Sequence, residues 1–206
     1  MKINIKLIAA AVTAIVLLRS LSRAKSFKNK IAKLAVDEFN YWNNGTIKEG
    51  NTKTMQRLRD YWKQGAKVNA SDNYYINTAW SAAFISYIMR KAGAGDQFKY
   101  ATAHSKYINQ GKANRINKIK TFQTFRKTEV PVTVGDLICY PRTEGVNYDT
   151  NGDYYAHCDI VTEVTKGKAY AIGGNVSNSV NKSAYNLDSN NKVTTNKVHA
   201  IIKTLL

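Results

Sequence analysis

The chain has 206 residues, enough for one domain with a real core plus an N-terminal extension. Its 44% hydrophobic content and thirteen tyrosines exclude a disordered protein. Lys and Arg total 31 against 14 Asp and Glu, a net charge of +17, so its partners are expected to be anionic. The basic residues are scattered, not interleaved with aromatics in a repeated pattern, and no nucleic-acid module signature appears. An anionic envelope polymer is therefore expected, and no nucleic acid.

A basic start, Met1 to Lys6, precedes an apolar run from Leu7 to Leu18 broken only by Thr13. Twelve residues suit the apolar region of an export signal and fall short of the ~20 of a comfortable membrane span. Residues 1–25 are expected to be a signal peptide or a membrane anchor, and residues 26–206 a single domain. In Phe27 to Trp42, apolar residues at Ile31, Leu34, Ala35, Phe39 and Trp42 predict an amphipathic helix. Thr54 to Trp62 predicts a second, stopped by Gly65. Asn69 to Asn77 reads as a polar loop leading to Trp80–Gly93, a helix with a serine in its first turn and a glycine stop. Ala101 to Gly111 predicts a further short helix.

Beyond this point the period changes from helical to alternating. Asp136–Tyr140, His157–Val164, Ala169–Ile172 and Val198–Ile202 read as strands, separated by two long polar segments, Pro141–Ala156 and Asn175–Lys197. Helices followed by strands predict an α+β fold. Two cysteines are too few for a disulfide scaffold. Cys139 and Cys158 either pair across neighbouring strands or act as small buried apolar residues. There is no CxxC and no paired His at helical spacing, so no metal site is expected. The polar turn Asp149–Asp153 begins like a calcium loop, but Gly152 stands fourth, not sixth, and Ile160 occupies the place of the bidentate Glu.

Ser81 opens a helix, where backbone N–H groups and the macrodipole favour negative charge. It serves there as a cap or as a nucleophile. His157 and Asp159 stand two apart in a strand and so share a face, which lets the carboxylate orient the imidazole, while Cys158 faces the other way. His104 is a weaker candidate for a substrate-side contact, and His199, in the last strand without polar company, reads as structural. Asn175 follows Gly173-Gly174 at a strand end, serving either turn chemistry or orientation of the histidine.

The segment Trp80-Ser81-Ala82-Ala83-Phe84-Ile85 resembles the WCAAFV motif of CHAP and NlpC-like papain-fold peptidases and amidases, with serine in place of cysteine. Gly135-Asp136-Leu137-Ile138 resembles their GDLV strand, Ala156-His157-Cys158-Asp159-Ile160-Val161 their GHVGIV strand, and Gly174-Asn175-Val176-Ser177-Asn178 their later turn. From about Ile31 to Ile202 the chain resembles bacterial domain-of-unknown-function family 2272.

The resemblance implies a helical half packed on an antiparallel sheet, with Ser81 as nucleophile, His157 as base, and Asn175 or Asp159 orienting it. Trp80, His104 and Tyr155 are expected on the substrate side, and no cofactor is expected. The implied substrate is an amide bond of peptidoglycan, cut by an enzyme exported to, or anchored at, the bacterial periplasm or cell envelope. The alternative is a catalytically inactive papain-like module that binds cell wall or a partner protein. The departure from the motif matters, because a serine hydroxyl is scarcely ionised at neutral pH and needs a well-placed base.

Overall fold

The computed structural model describes the backbone of residues 5–206 and the side chains from residue 21 onward. The side chains of most of the expected leader, residues 1–20, therefore lie outside the described residues. Helix α1 runs unbroken through Ile5–Tyr41, so the boundary expected near residue 25 falls inside one continuous helix. Its later half buries Ile31 and Ala35, with Trp42 just past its end. Asn43, Asn44 and Gly45 then turn the chain in the left-handed region. No helix among the described residues is long and apolar enough to cross a membrane.

Helix α2 (Thr52–Asp60) is capped by Asn51, whose side chain accepts from Lys53 N–H at 2.9 Å. It widens into a π-helical turn at Tyr61–Ala66. The segment read as a loop contains a short helix, α3 (Asp72–Asn77), capped by the Ser71 hydroxyl. Only Tyr75 is buried in it, too little apolar content to show a period. Helix α4 spans Ser81–Ala92 and ends at Gly93 with φ 92°, and α5 spans His104–Ile116.

The strands are β1 (Phe122–Arg126), β2 (Leu137–Pro141), β3 (Ala156–Thr165), β4 (Lys168–Gly173), β5 (Asn181–Asn186) and β6 (Ala200–Thr204). They form one sheet in the order β1-β6-β2-β3-β4-β5, antiparallel throughout. The architecture is α+β. Strands β1 and β5 are additions to the elements expected from the sequence, and both are sheet edges. In β5 only Tyr185 is buried, so its alternation is nearly invisible in an Asn-rich stretch.

The sheet is buried on both faces. Leu137, Cys139, Cys158, Ile160, Ile172 and Ile202 share a core with the helices. Ile138, Val161, Ala169, Ala171 and Ile201 form a second cluster with Tyr185, Leu187 and Val193. Cys139 and Cys158 are directly opposite in the β2–β3 register and form a disulfide, their Cα atoms 4.2 Å apart. Asp136, in the Gly-Asp-Leu segment before β2, is fully buried. It accepts from Lys28 of α1 at 2.9 Å, from Thr133 N–H at 2.8 Å, from Thr204 N–H at 3.2 Å, and from Lys203 of β6. That aspartate joins three elements and has a structural task.

Candidate functional site

The start of α4 is held by aromatics. Trp80 is fully buried in a triangle of rings with Trp42 at 5.1 Å and Tyr61 at 5.5 Å, and its indole N–H donates to Glu49 at 2.5 Å. Beneath it, Tyr61 OH donates to the buried Glu38 at 2.6 Å, and Arg57 pairs with the same carboxylate at 3.2 Å. Trp80 therefore belongs to the core and not to a substrate surface, a correction to the expectation. A ring with no exposed surface, close-packed by its neighbours, has no face left for a ligand.

Ser81 is the first helical residue of α4, and no side chain caps that end. Its hydroxyl bonds across to the next helix, Oγ to His104 Nε2 at 2.7 Å. His104 opens α5 and contacts Tyr107 OH through Nδ1. Burial, then the neighbouring His157 and Arg142, hold the His104 imidazole well below its ordinary protonation range near 6.5, so it is neutral at pH 7. Burial and Asp159 push the Tyr107 phenol well above 10, so it stays protonated. Two tautomers fit these contacts, and the one with its proton on Nδ1 leaves Nε2 to accept from Ser81 O–H, as a general base requires.

His157 and Asp159 form the other half. His157 Nε2 lies 2.7 Å from Asp159 Oδ1, Asp159 Oδ2 accepts from Tyr185 OH at 2.5 Å, and all three are buried. Arg142 donates to His157 Nδ1 at 3.4 Å. The rings of His104 and His157 pack with centroids 5.3 Å apart. The cluster therefore runs Ser81, His104, His157, Asp159, Tyr185, and His104 is the partner of the serine. The physical reason lies in strand alternation. Ala156, Cys158 and Ile160 pack with the helices, which sends His157 and Asp159 towards the second cluster. His104 reaches Ser81 because both residues open helices whose first turns meet.

Asn175 does not orient His157, whose Nε2 is taken by Asp159. With φ 55°, it begins a tight left-handed turn also containing Ser177 and Asn178 and closed by Val176 N–H to Ser179 O at 2.9 Å. The preceding glycines are there for space. A Cβ on Gly173 would overlap Asp159 Oδ1, and one on Gly174 would lie 2.5 Å from the Phe84 Cβ. Tyr155 is 82% exposed, beside a surface pocket flanking His104.

The calcium-like turn is occupied by the protein's own cations. The Lys112 ammonium donates to Tyr148 O, Thr150 O and Asn151 Oδ1 at 3.1, 2.7 and 3.2 Å. Asp149 pairs with Arg126 at 2.5 Å and Asp153 with Lys106 at 2.7 Å. Among the described residues no group of metal-ligating side chains is assembled. Tyr107, Arg142 and Tyr185 were not singled out in the sequence. A His at 104 and a Tyr three residues on share a helix face, and that spacing is the signal for Tyr107. Nothing local points to Tyr185.

Fold and site define an α+β protein with a serine–histidine pair at the meeting of two helix N-termini. The chain belongs to the DUF2272 family, described as uncharacterized protein conserved in bacteria, which it matches over residues 36–203. No curated protein matches it. Among solved structures it is similar to one titled "The crystal structure of Ly7917", at 16% identity and a TM-score of 0.38, covering 73% of this chain and 61% of that one. The chain thus spans less than two thirds of that structure's length.

Proposed function

We propose that the protein is a papain-like hydrolase of the bacterial cell envelope, cleaving an amide bond of peptidoglycan with Ser81 as nucleophile and His104 as base. The observation that carries this reading is the 2.7 Å contact between Ser81 Oγ and His104 Nε2 at an uncapped helix start. Ser81 Oγ attacks the amide carbonyl carbon as its proton passes to His104 Nε2. The first-turn N–H groups of α4, which have no intrahelical acceptor, face the charge that develops on the carbonyl oxygen. His104 then returns the proton to the leaving amine, and a water deprotonated by the same nitrogen releases the acyl group. The neutral state of His104 at pH 7 suits it to accept that proton. His157, locked by Asp159 and Tyr185, positions the His104 ring against which it packs. The net charge of +17 suits an anionic wall polymer, the Cys139–Cys158 disulfide suits an oxidising compartment, and the apolar run at 7–18 suits export or anchoring.

One observation favours the binding-only alternative: Ser81 is 6% exposed and His104 4%. The two readings separate when purified protein is incubated with peptidoglycan and the fragments are followed by mass spectrometry. Hydrolysis predicts new amine termini, with Ser81→Ala and His104→Ala each lowering the rate by about 10³-fold or more and His157→Ala by less. No new termini with the wild-type chain would sink the enzyme reading. Activity surviving Ser81→Ala would move the nucleophile elsewhere.

A further inference from the structure

The four leucines and isoleucines exposed among the described residues, Leu21, Ile116, Ile119 and Leu205, gather around two adjoining grooves. The first, of about 440 Å³, runs between α1 and the end of α4 and is lined by Arg23, Lys30 and Lys120. The second shares Lys120 and Leu205 with it and adds Arg115 and Lys118. No Asp or Glu lines either groove, and Arg115 alone of these cations is paired among the described residues, with Glu129. The depression beyond Ile119 holds one carboxylate, Asp96, together with Lys99. Arg23, Phe27 and Lys30 stand four and three residues apart, hence on one face of α1. Phe27 packs edge-on against Phe122 of β1, with centroids 6.3 Å apart, which turns that face towards the grooves.

Ile116-Asn117-Lys118-Ile119-Lys120 is exposed throughout, Ile116 at 78% and Ile119 at 46%. Its backbone is nonetheless tied down. The N–H groups of Asn117, Lys118 and Ile119 donate to the carbonyls of Ala113, Arg115 and Asn114 at 2.9, 3.2 and 2.8 Å. Ile119 O accepts from the Gln123 amide at 2.9 Å. A turn satisfied internally in this way can leave water without stranding polar groups. Isoleucines held in water among lysines gain from a medium that is apolar inside and anionic at its surface. A soluble polyanion would engage the lysines and leave the isoleucines wet.

We propose that this face seats the domain on an anionic bilayer. Ile116 and Ile119 enter the headgroup boundary, while Arg23, Lys30, Lys118 and Lys120 meet lipid phosphates. The helix that bears Arg23 also carries the apolar run at 7–18. That run is short for a span, and stable anchoring takes two weak signals, here an apolar segment and a basic surface. Helix α5 begins at His104 and ends at Ile116, about 18 Å apart at 1.5 Å per residue. Seating by its last turn therefore keeps the Ser81–His104 pair at the end away from lipid.

Both native cysteines lie in the disulfide, so one introduced cysteine can be labelled alone. The full chain carrying Ile116→Cys with an environment-sensitive nitrobenzoxadiazole dye is mixed with vesicles of phosphatidylcholine, alone or with phosphatidylglycerol. A blue shift is expected on the mixed vesicles. Tyr155→Cys, labelled likewise beside the first turn of α5, should stay in water. Lys118→Gln and Lys120→Gln should each lower the docked-to-undocked ratio about fivefold, with an unchanged circular dichroism melt. Ile119→Ser should lower it by a similar factor. No shift at position 116, equal shifts at 116 and 155, or indifference to the lysine changes would overturn the seat. Inorganic polyphosphate is the second probe. If it binds through the same lysines while Ile119→Ser leaves vesicle docking unchanged, the face takes soluble polyanions and not a bilayer. None of these outcomes depends on hydrolysis of peptidoglycan.

Discussion

His199 lies just before β6 with both ring nitrogens buried and unpartnered, 6.1 Å from the Tyr154 ring. Burial, then Lys112, lowers its protonation to about 4, and His104 is lowered in the same direction by burial. In the unfolded chain both histidines bind a proton near pH ~6.5. Over the interval below that value the unfolded state therefore holds more protons, and stability falls as pH is lowered from about 6.5 towards 4. The urea midpoint is expected to drop measurably between pH 7 and pH 5. The His199→Gln variant, which cannot charge, should show a shallower drop. An identical pH profile for the variant would contradict the assignment. At this scale the sequence singled out side chains that the fold gathers into one buried cluster, Ser81, His104, His157 and Asp159. It paired His157 with Asp159 as the structure does, but missed that Ser81 bonds to His104, because hydrogen bonds between helices are not encoded in local spacing.

Among elements, β2 and β3 matter most, since β3 carries His157 and Asp159. The disulfide crosses this pair at Cys139 and Cys158, nineteen residues apart, at the centre of their five-residue register. Closing a loop of that length restricts the unfolded chain by about 3 kcal/mol. Replacing both cysteines by alanine should lower unfolding free energy by about 2–4 kcal/mol in urea titrations, with the wild type under reducing conditions following the variant. Stability equal to that of the oxidised wild type would show that the ladder alone holds these strands. The central strands were legible because they are apolar on both faces, and helices α1, α4 and α5 because they are long or cleanly stopped. Edge strands β1 and β5 and the six-residue α3 were not, because each buries only one or two side chains.

Across the whole molecule, the helical half and the sheet are joined at Asp136. Its carboxylate takes Lys28 from α1 and Lys203 from β6, both mostly buried, together with two backbone N–H groups. Burial draws the Lys203 ammonium below its usual range, against the pull of Asp136. Removing one member of such a set leaves the others buried and uncompensated. Asp136→Asn is expected to cost about 3–5 kcal/mol in denaturant unfolding. It should loosen α1 first, seen as faster amide exchange around Lys28. A loss below about 1 kcal/mol would place Asp136 among ordinary surface pairs.

The amino-acid order by itself determined the α+β class, the long helices, the central strands and the residue types of the site. These follow from apolar periodicity, capping and chemical identity, which are local properties. Tertiary structure alone decided that His104, and not His157, meets Ser81, that Asp159 is the one of the two expected residues that holds His157, and that Lys112 fills the acidic turn. It also decided that the cysteines pair. Each of these depends on which faces of distant elements meet, and strand alternation with helix packing sets that only when the whole chain is folded.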